Sequence, residues 1–107
     1  MPDFAVLLAE HRAIEAALDA LPASFSRTLD LVLHHYAGEE KLLPGPDFDK
    51  MRAQHEEARE LGVEVLRSLE SGHAGDVERL TRRFVAIVQH NIIEEERDVF
   101  PYYHQRL

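Results

Sequence analysis

The sequence predicts an all-α fold, an antiparallel up-down-up-down four-helix bundle that takes residues 1–107 as one domain. Apolar residues recur at spacings of three and four in four separate stretches, the pattern of a helix with one buried face. Short segments rich in Pro, Gly, Ser and Asp separate those stretches, and neither strand alternation nor an Asn-Gly hairpin signal appears. Connections this short force successive helices to run antiparallel.

The first helix is expected from Asp3 to Leu21, with Phe4, Leu7, Leu8, Ile14, Leu18 and Leu21 on its apolar face and Pro22 ending it. Ser24 is placed to cap the second, which carries Phe25, Leu29, Val32, Tyr36 and Leu43 until Pro-Gly-Pro-Asp at 44–47 stops it. Asp47 is placed to cap the third, through Phe48, Met51, Ala58, Leu61, Val65, Leu66 and Leu69. Ser71 to Gly75 is a turn by composition. Asp76 is placed to cap the fourth, with Val77, Leu80, Phe84, Ile87 and Val88, continuing to about Phe100 before Pro101.

Composition narrows the function classes. A formal net charge of -8 gives no basic stripe to follow a phosphate backbone, and an anionic membrane would repel the chain, so neither nucleic acid nor lipid is an expected partner. Without cysteine there is no disulfide frame and no thiolate, so any metal must be held by histidine and carboxylate. The N-terminus lacks a basic targeting region and no apolar run approaches bilayer length, so a cytoplasmic location is expected.

Two stretches repeat one design: HHYAGEEKLLP from His34 to Pro44, and HNIIEEERDVFP from His90 to Pro101. Each has a histidine followed four residues later by a glutamate, one turn along the same helix face. His11 and His55 sit on the apolar stripes of the first and third helices, as His35 does on the second and His90, three after Ile87, on the fourth. Counting residues from each turn, at a rise of about 1.5 Å per residue, puts these four histidines within a few ångströms of one level. His34, His73 and His104 miss that layer by face, loop position and tail position.

Glu39 and Glu94 point to the same layer, where a buried carboxylate needs a cation and no inward lysine or arginine stands beside it. A metal pair bridged by the two glutamates, with imidazoles at terminal positions, satisfies that need, and iron, manganese or zinc suits such donors. Glu40 and Glu95 lie about 100° around their helices and are expected to support the ligands or face solvent, although Glu95, five residues after His90, is also within reach.

The series His11, His35 with Glu39, His55, and His90 with Glu94 resembles the hemerythrin family, in particular the bacterial HHE cation-binding domains, over essentially the whole chain. The resemblance implies two iron ions with an oxo or hydroxo bridge, zinc or manganese being substitutes. It implies the metal ligands His11, His35, Glu39, His55, His90 and Glu94. It further implies binding or sensing of dioxygen, nitric oxide or peroxide, or a role in handling iron. Where oxygen-carrying hemerythrins have a second histidine one turn after that of the third helix, this chain has Arg59. Four histidines and two glutamates is instead similar to the iron-sulfur cluster repair proteins, whose cysteine-bearing segment is missing here, and to the iron-sensing domain of a ubiquitin ligase subunit.

Rival signatures are absent. The Glu-x-x-His spacing of ferritin-type sites occurs only from Glu70 to His73, in a turn, and His55-Glu56 is not followed by the second histidine of a zinc protease. The alternatives left are a di-iron enzyme reducing a small oxidant and a metal-free helical interaction module, separated by turnover with an electron donor and by metal content. On this ligand set, replacing Glu39 and Glu94 together by alanine is expected to abolish dinuclear binding. His34→Ala is expected to leave it intact, both read as metal per chain by elemental analysis.

Overall fold

The computed structural model describes residues 4–19, 21 and 25–105. Four long helices follow one another: α1 (Phe4–Asp19), α2 (Phe25–Leu42), α3 (Asp49–Ser71) and α4 (Ala74–Glu94). A 3-10 turn (Pro46–Phe48) precedes α3, and α4 passes through a π turn (Glu95–Val99) into a short helix, α5 (Phe100–Gln105). Each long helix packs on the next and α4 returns to α1, which closes the antiparallel bundle. No strand occurs among the described residues, and no helix among them is long and apolar enough to cross a membrane.

The helix ends follow local chemistry, with several differences from expectation. Gly45, at φ 106°, and Gly72, at φ 73°, take the left-handed backbone that glycine adopts without a Cβ clash. Past the end of α3 the Gly72 N–H donates to the Leu69 carbonyl at 3.3 Å and the His73 N–H to that of Ser68 at 3.1 Å, satisfying carbonyls the helix leaves open. Asp47 and Asp76 do not cap: Asp47 lies inside the 3-10 turn, Asp76 in the first turn of α4, and Phe48 and His73 take the boundary positions without a side-chain cap. Pro22 and Ser24 lie outside the described residues.

Pro101 does not end the helix. It falls in the first turn of α5, where a missing N–H removes no bond that a newly begun helix would make. The π turn before it is closed by the Phe100 N–H on the Glu95 carbonyl, five residues back instead of four.

The interior is divided in two. The larger apolar cluster joins Ile14 and Leu18 of α1, Phe25, Leu29, Val32 and Tyr36 of α2, Ala58, Leu61 and Val65 of α3, and Leu80, Phe84, Val88 and Ile92 of α4. A smaller one, at the end holding the α2–α3 turn, joins Leu7, Leu43, Phe48, Met51 and Phe100. Leu8 and Leu69, expected on apolar faces, are 40% and 46% exposed at the edges of their stripes. Phe84 is fully buried within the larger cluster. Phe84→Ala is expected to lower unfolding free energy by about 3–5 kcal/mol, read as a shift of the urea midpoint at unchanged slope.

Candidate metal centre

Between the two apolar clusters lies a polar layer to which every long helix contributes. Along α1 the inward residues run Leu7, His11, Ile14; along α2 Tyr36, Glu39, Leu43; along α3 Met51, His55, Ala58; and at the end of α4 Ile92, Glu95, Phe100. His11, Glu39 and His55 have no exposed surface, and His35 and Glu95 are equally enclosed. His11 Nε2 lies 3.1 Å from Glu95 Oε1, His35 Nε2 2.9 Å from Glu39 Oε1, and His55 Nε2 2.9 Å from Glu95 Oε2. Glu39 Oε1 is also 3.5 Å from His55 Nε2, and its Oε2 is 3.9 Å from His11 Nε2. The two carboxylates therefore stand between His11 and His35 on one side and His55 on the other.

Two aromatic rings fix the imidazole planes. Tyr36 lies face to face on His55, with centroids 3.8 Å apart and planes 9° from parallel. Phe100 stacks on His11 at 5.5 Å and 14°.

These donors fit a metal cation. Ligand atoms of His11, His35, Glu39 and Glu95 all lie within 4.8 Å of one another. His35 Nε2 and both Glu39 oxygens are buried without a hydrogen bond of acceptable geometry, despite the short His35–Glu39 approach. Each Nδ1 faces an outer carboxylate, so the neutral imidazole has its lone pair on Nε2, aimed at carboxylate oxygens. Lone pairs that close require a proton or a cation between them.

Titration follows the same geometry. Burial, with Glu95 beside it, pushes the Glu39 carboxyl up to about 12. Burial acts on Glu95 in the same direction, but the close approach of His11, His55 and Glu39 outweighs it and brings Glu95 down to about 2. Burial lowers the His35 imidazole against the pull of Glu10 and raises the Tyr36 phenol.

Around the inner layer runs a closed ring of links between neighbouring helices. Glu10 of α1 accepts from His35 Nδ1 of α2 at 2.8 Å, Glu40 of α2 from His55 Nδ1 of α3 at 2.9 Å, and Glu96 from His11 Nδ1 at 2.7 Å, returning to α1. Between α3 and α4, Gln54 Nε2 donates to Glu94 at 3.1 Å. Every link uses a residue next in sequence to an inner one: Glu10 beside His11, Glu40 beside Glu39, Gln54 beside His55, and Glu94 and Glu96 on either side of Glu95. An imidazole whose outer nitrogen is held by a carboxylate is the arrangement that orients metal-binding histidines and raises their basicity. Two arginines brace the ring: Arg12 pairs with Glu96, and Arg59 Nη2 donates to Glu40 at 2.5 Å. Burial alone would raise Glu40, but its bonds to His55 and Arg59 hold it below the usual carboxylate range.

The hemerythrin HHE cation binding domain matches residues 2–103, nearly the full length. The chain belongs to the hemerythrin family. No curated protein and no solved structure matches it. The family is described as a cation-binding domain, and the buried His/Glu layer of this hemerythrin domain is a group that could hold a metal ion.

Of the residues singled out in the sequence, the hemerythrin fold brings His11, His35, Glu39 and His55 together and does not bring His90 or Glu94 to them. His90 is 66% exposed and lies 2.9 Å from Glu94. Glu94 faces Lys50 and Gln54 at the rim, and the Lys50 ammonium at 2.8 Å holds its carboxyl below the ordinary range. The reason is helical phase. The buried stripe of α4 runs through Phe84, Val88, Asn91, Ile92 and Glu95, whereas Ile87 lies at its edge, and counting from Ile87 turns the face by about 100° onto His90 and Glu94.

Glu95, expected to support the ligands or face solvent but also within reach of the layer, stands inside it, and the outer residues Glu10, Gln54 and Glu96 are contacts that spacing alone did not single out. The doublets Glu10-His11 and Glu39-Glu40, and the run Glu94-Glu95-Glu96, are their signal: an inner residue with a link partner beside it. His34 points outward and is 83% exposed.

Because Glu39 binds its proton more tightly folded than unfolded, chelator-treated protein is expected to lose stability as pH rises above about 4.5, the ordinary carboxyl value. Glu95, shifted the other way, contributes stability above that pH that is lost as pH falls toward about 2. Glu39→Gln has no proton to lose, so thermal melts of the metal-free variant across pH 5–8 are expected to show a flatter slope than the parent.

Proposed function

We propose that this hemerythrin domain is a non-haem di-iron protein that binds or senses a small diatomic molecule or oxidant. The observation that carries the reading is the two-sided placement of the buried carboxylates, each within reach of imidazoles on both flanks. A metal pair would be held by His11 and His35 from one flank and His55 from the other, with the Glu39 and Glu95 carboxylates between them. The proposed ligands are therefore His11, His35, Glu39, His55 and Glu95. A bound iron pair supplies one-electron chemistry and Lewis acidity, and every other feature belongs to the chain.

The two flanks are unequal, which supports ligand binding over a purely structural metal. The His55 flank offers a single imidazole, because Arg59, one turn further along α3, reaches to Glu40 and lies over the Tyr36 ring with its guanidinium carbon 5.9 Å from the centroid. A metal there keeps open positions, the condition for binding a small molecule. The apolar clusters above and below limit water around the layer, and the outer carboxylates hold each Nδ1 proton away from it.

Anaerobic loading with ferrous iron followed by desalting is expected to leave about two irons per chain, the content of a two-metal site. Glu95→Ala, which removes a bridge, is expected to bring that below one, while Glu94→Ala retains the parental content. Parental protein with essentially no iron would sink the proposal; iron lost in the Glu94 variant and kept in the Glu95 variant would return the ligand role to Glu94.

A further inference from the structure

Tyr36 and Asn91 form a buried polar pair beside the cluster that neither the ring nor the proposed ligand set uses. Tyr36 is 2% and Asn91 1% exposed, and Asn91 Nδ2 donates to the Tyr36 hydroxyl at 3.0 Å. The Tyr36 ring lies on His55, and Asn91 stands one turn before Glu95 on the buried stripe of α4. Both are therefore on the flank of the layer that is short of imidazole.

The hydrogen-bond inventory of this pair does not close. A phenol has one donor and an amide has two. With Asn91 donating to Tyr36, the phenolic proton takes no part in that bond, and Asn91 Oδ1 has no hydrogen-bond partner among the described residues. With the amide turned over, Tyr36 donates to Oδ1 and the amide N–H groups are left instead. Either way the pair retains an unused donor, and the Tyr36 ring belongs to the larger apolar cluster. An apolar pair of the same shape would fill the space without leaving polar atoms unmatched.

We propose that Tyr36 and Asn91 together form a hydrogen-bonding seat for a small ligand on the His55 flank, one that selects anionic acceptors of the azide and hydroperoxide class over neutral, weakly accepting diatomics such as nitric oxide. The inference deepens the di-iron reading and rests on it. The seat supplies its remaining donor to the ligand's negative charge, and a hydrogen bond to a charged partner is stronger than one to a neutral molecule. Neither residue is asked to hold metal.

The test compares azide and nitric oxide binding, followed by absorption, in iron-loaded parental protein and in the double variant Tyr36→Phe with Asn91→Leu, which keeps the ring on His55 and leaves no orphaned partner. The expected result is unchanged iron content, nitric oxide affinity within about twofold and azide at least about tenfold weaker, the loss of one charge-assisted bond. Equal azide affinity in the two proteins would overturn the proposal. A second measurement needs no variant: in zinc-loaded, isotopically labelled parental protein, azide is expected to shift the Asn91 side-chain amide resonances. Azide that perturbs the His55 ring while Asn91 stays still would overturn it as well. Iron content, measured first, separates the failures, because parental protein without iron brings down the di-iron reading itself. Iron-loaded protein that binds nitric oxide but holds azide equally well with and without the pair overturns this inference alone, whereas iron-loaded protein that ignores both probes overturns the small-ligand reading with it.

Discussion

Two carboxylates buried between two apolar clusters set the terms for the rest of the bundle. Glu39 and Glu95 have almost no contact with solvent, and isolated ionised acids in such a place would each cost several kcal/mol. Among the described residues no lysine or arginine is buried in the layer; Arg12 and Arg59 remain at the rim, behind the outer acids. What surrounds the carboxylates is imidazole nitrogen, which is a proton donor to them in one state and a co-ligand of a cation in another. The same five side chains therefore account for a costly metal-free core and for a site matched to positive charge.

The outer ring couples that site to the fold. Each helix presents an inner residue and, directly beside it in sequence, a group that grips the neighbouring helix. Turning any one helix about its axis would disturb its inner residue and two links together, so helix phase is specified more tightly than apolar packing alone requires. Three links end on imidazoles and one, Gln54 to Glu94, does not. The fourth helix and the π turn after it thus enter the ring through acids alone, Glu94 facing Gln54 and Lys50 of α3 and Glu96 facing His11 of α1, and their contribution to the inner layer is an acid in place of a histidine.

Much of this was legible in the chain. Spacings of three and four marked all four long helices, and the Gly-rich and Pro-rich breaks marked their ends. His11, His35, Glu39 and His55 each sit on a stripe whose other members are unambiguous, so face and depth placed them correctly together. Helix α4 was different because Ile87 and Val88 are both apolar and define two faces about 100° apart, while Asn91, a polar residue on the true stripe, argues against it. Three consecutive glutamates then offer a plausible acid on either face. Of the outer carboxylates, Glu40 was already expected to support the ligands or face solvent, but Glu10 and Glu96 were hidden for another reason: a link between helices depends on which helices are neighbours, and that is a property of the closed bundle.

The π turn has a consequence for how the chain keeps time. Residues five apart on a regular α-helix diverge by well over a right angle, so Glu95 in the polar layer and Phe100 against His11 belong to different sides of an ordinary cylinder. Closing the turn over five residues carries one extra residue without lengthening the path, and resets the clock between them. Upstream of Glu95 the chain keeps the phase of the large apolar cluster; downstream it keeps that of the small one. A one-residue deletion within 96–99 would consequently leave both stretches helical yet out of step, with either the acid or the aromatic lid facing the wrong way.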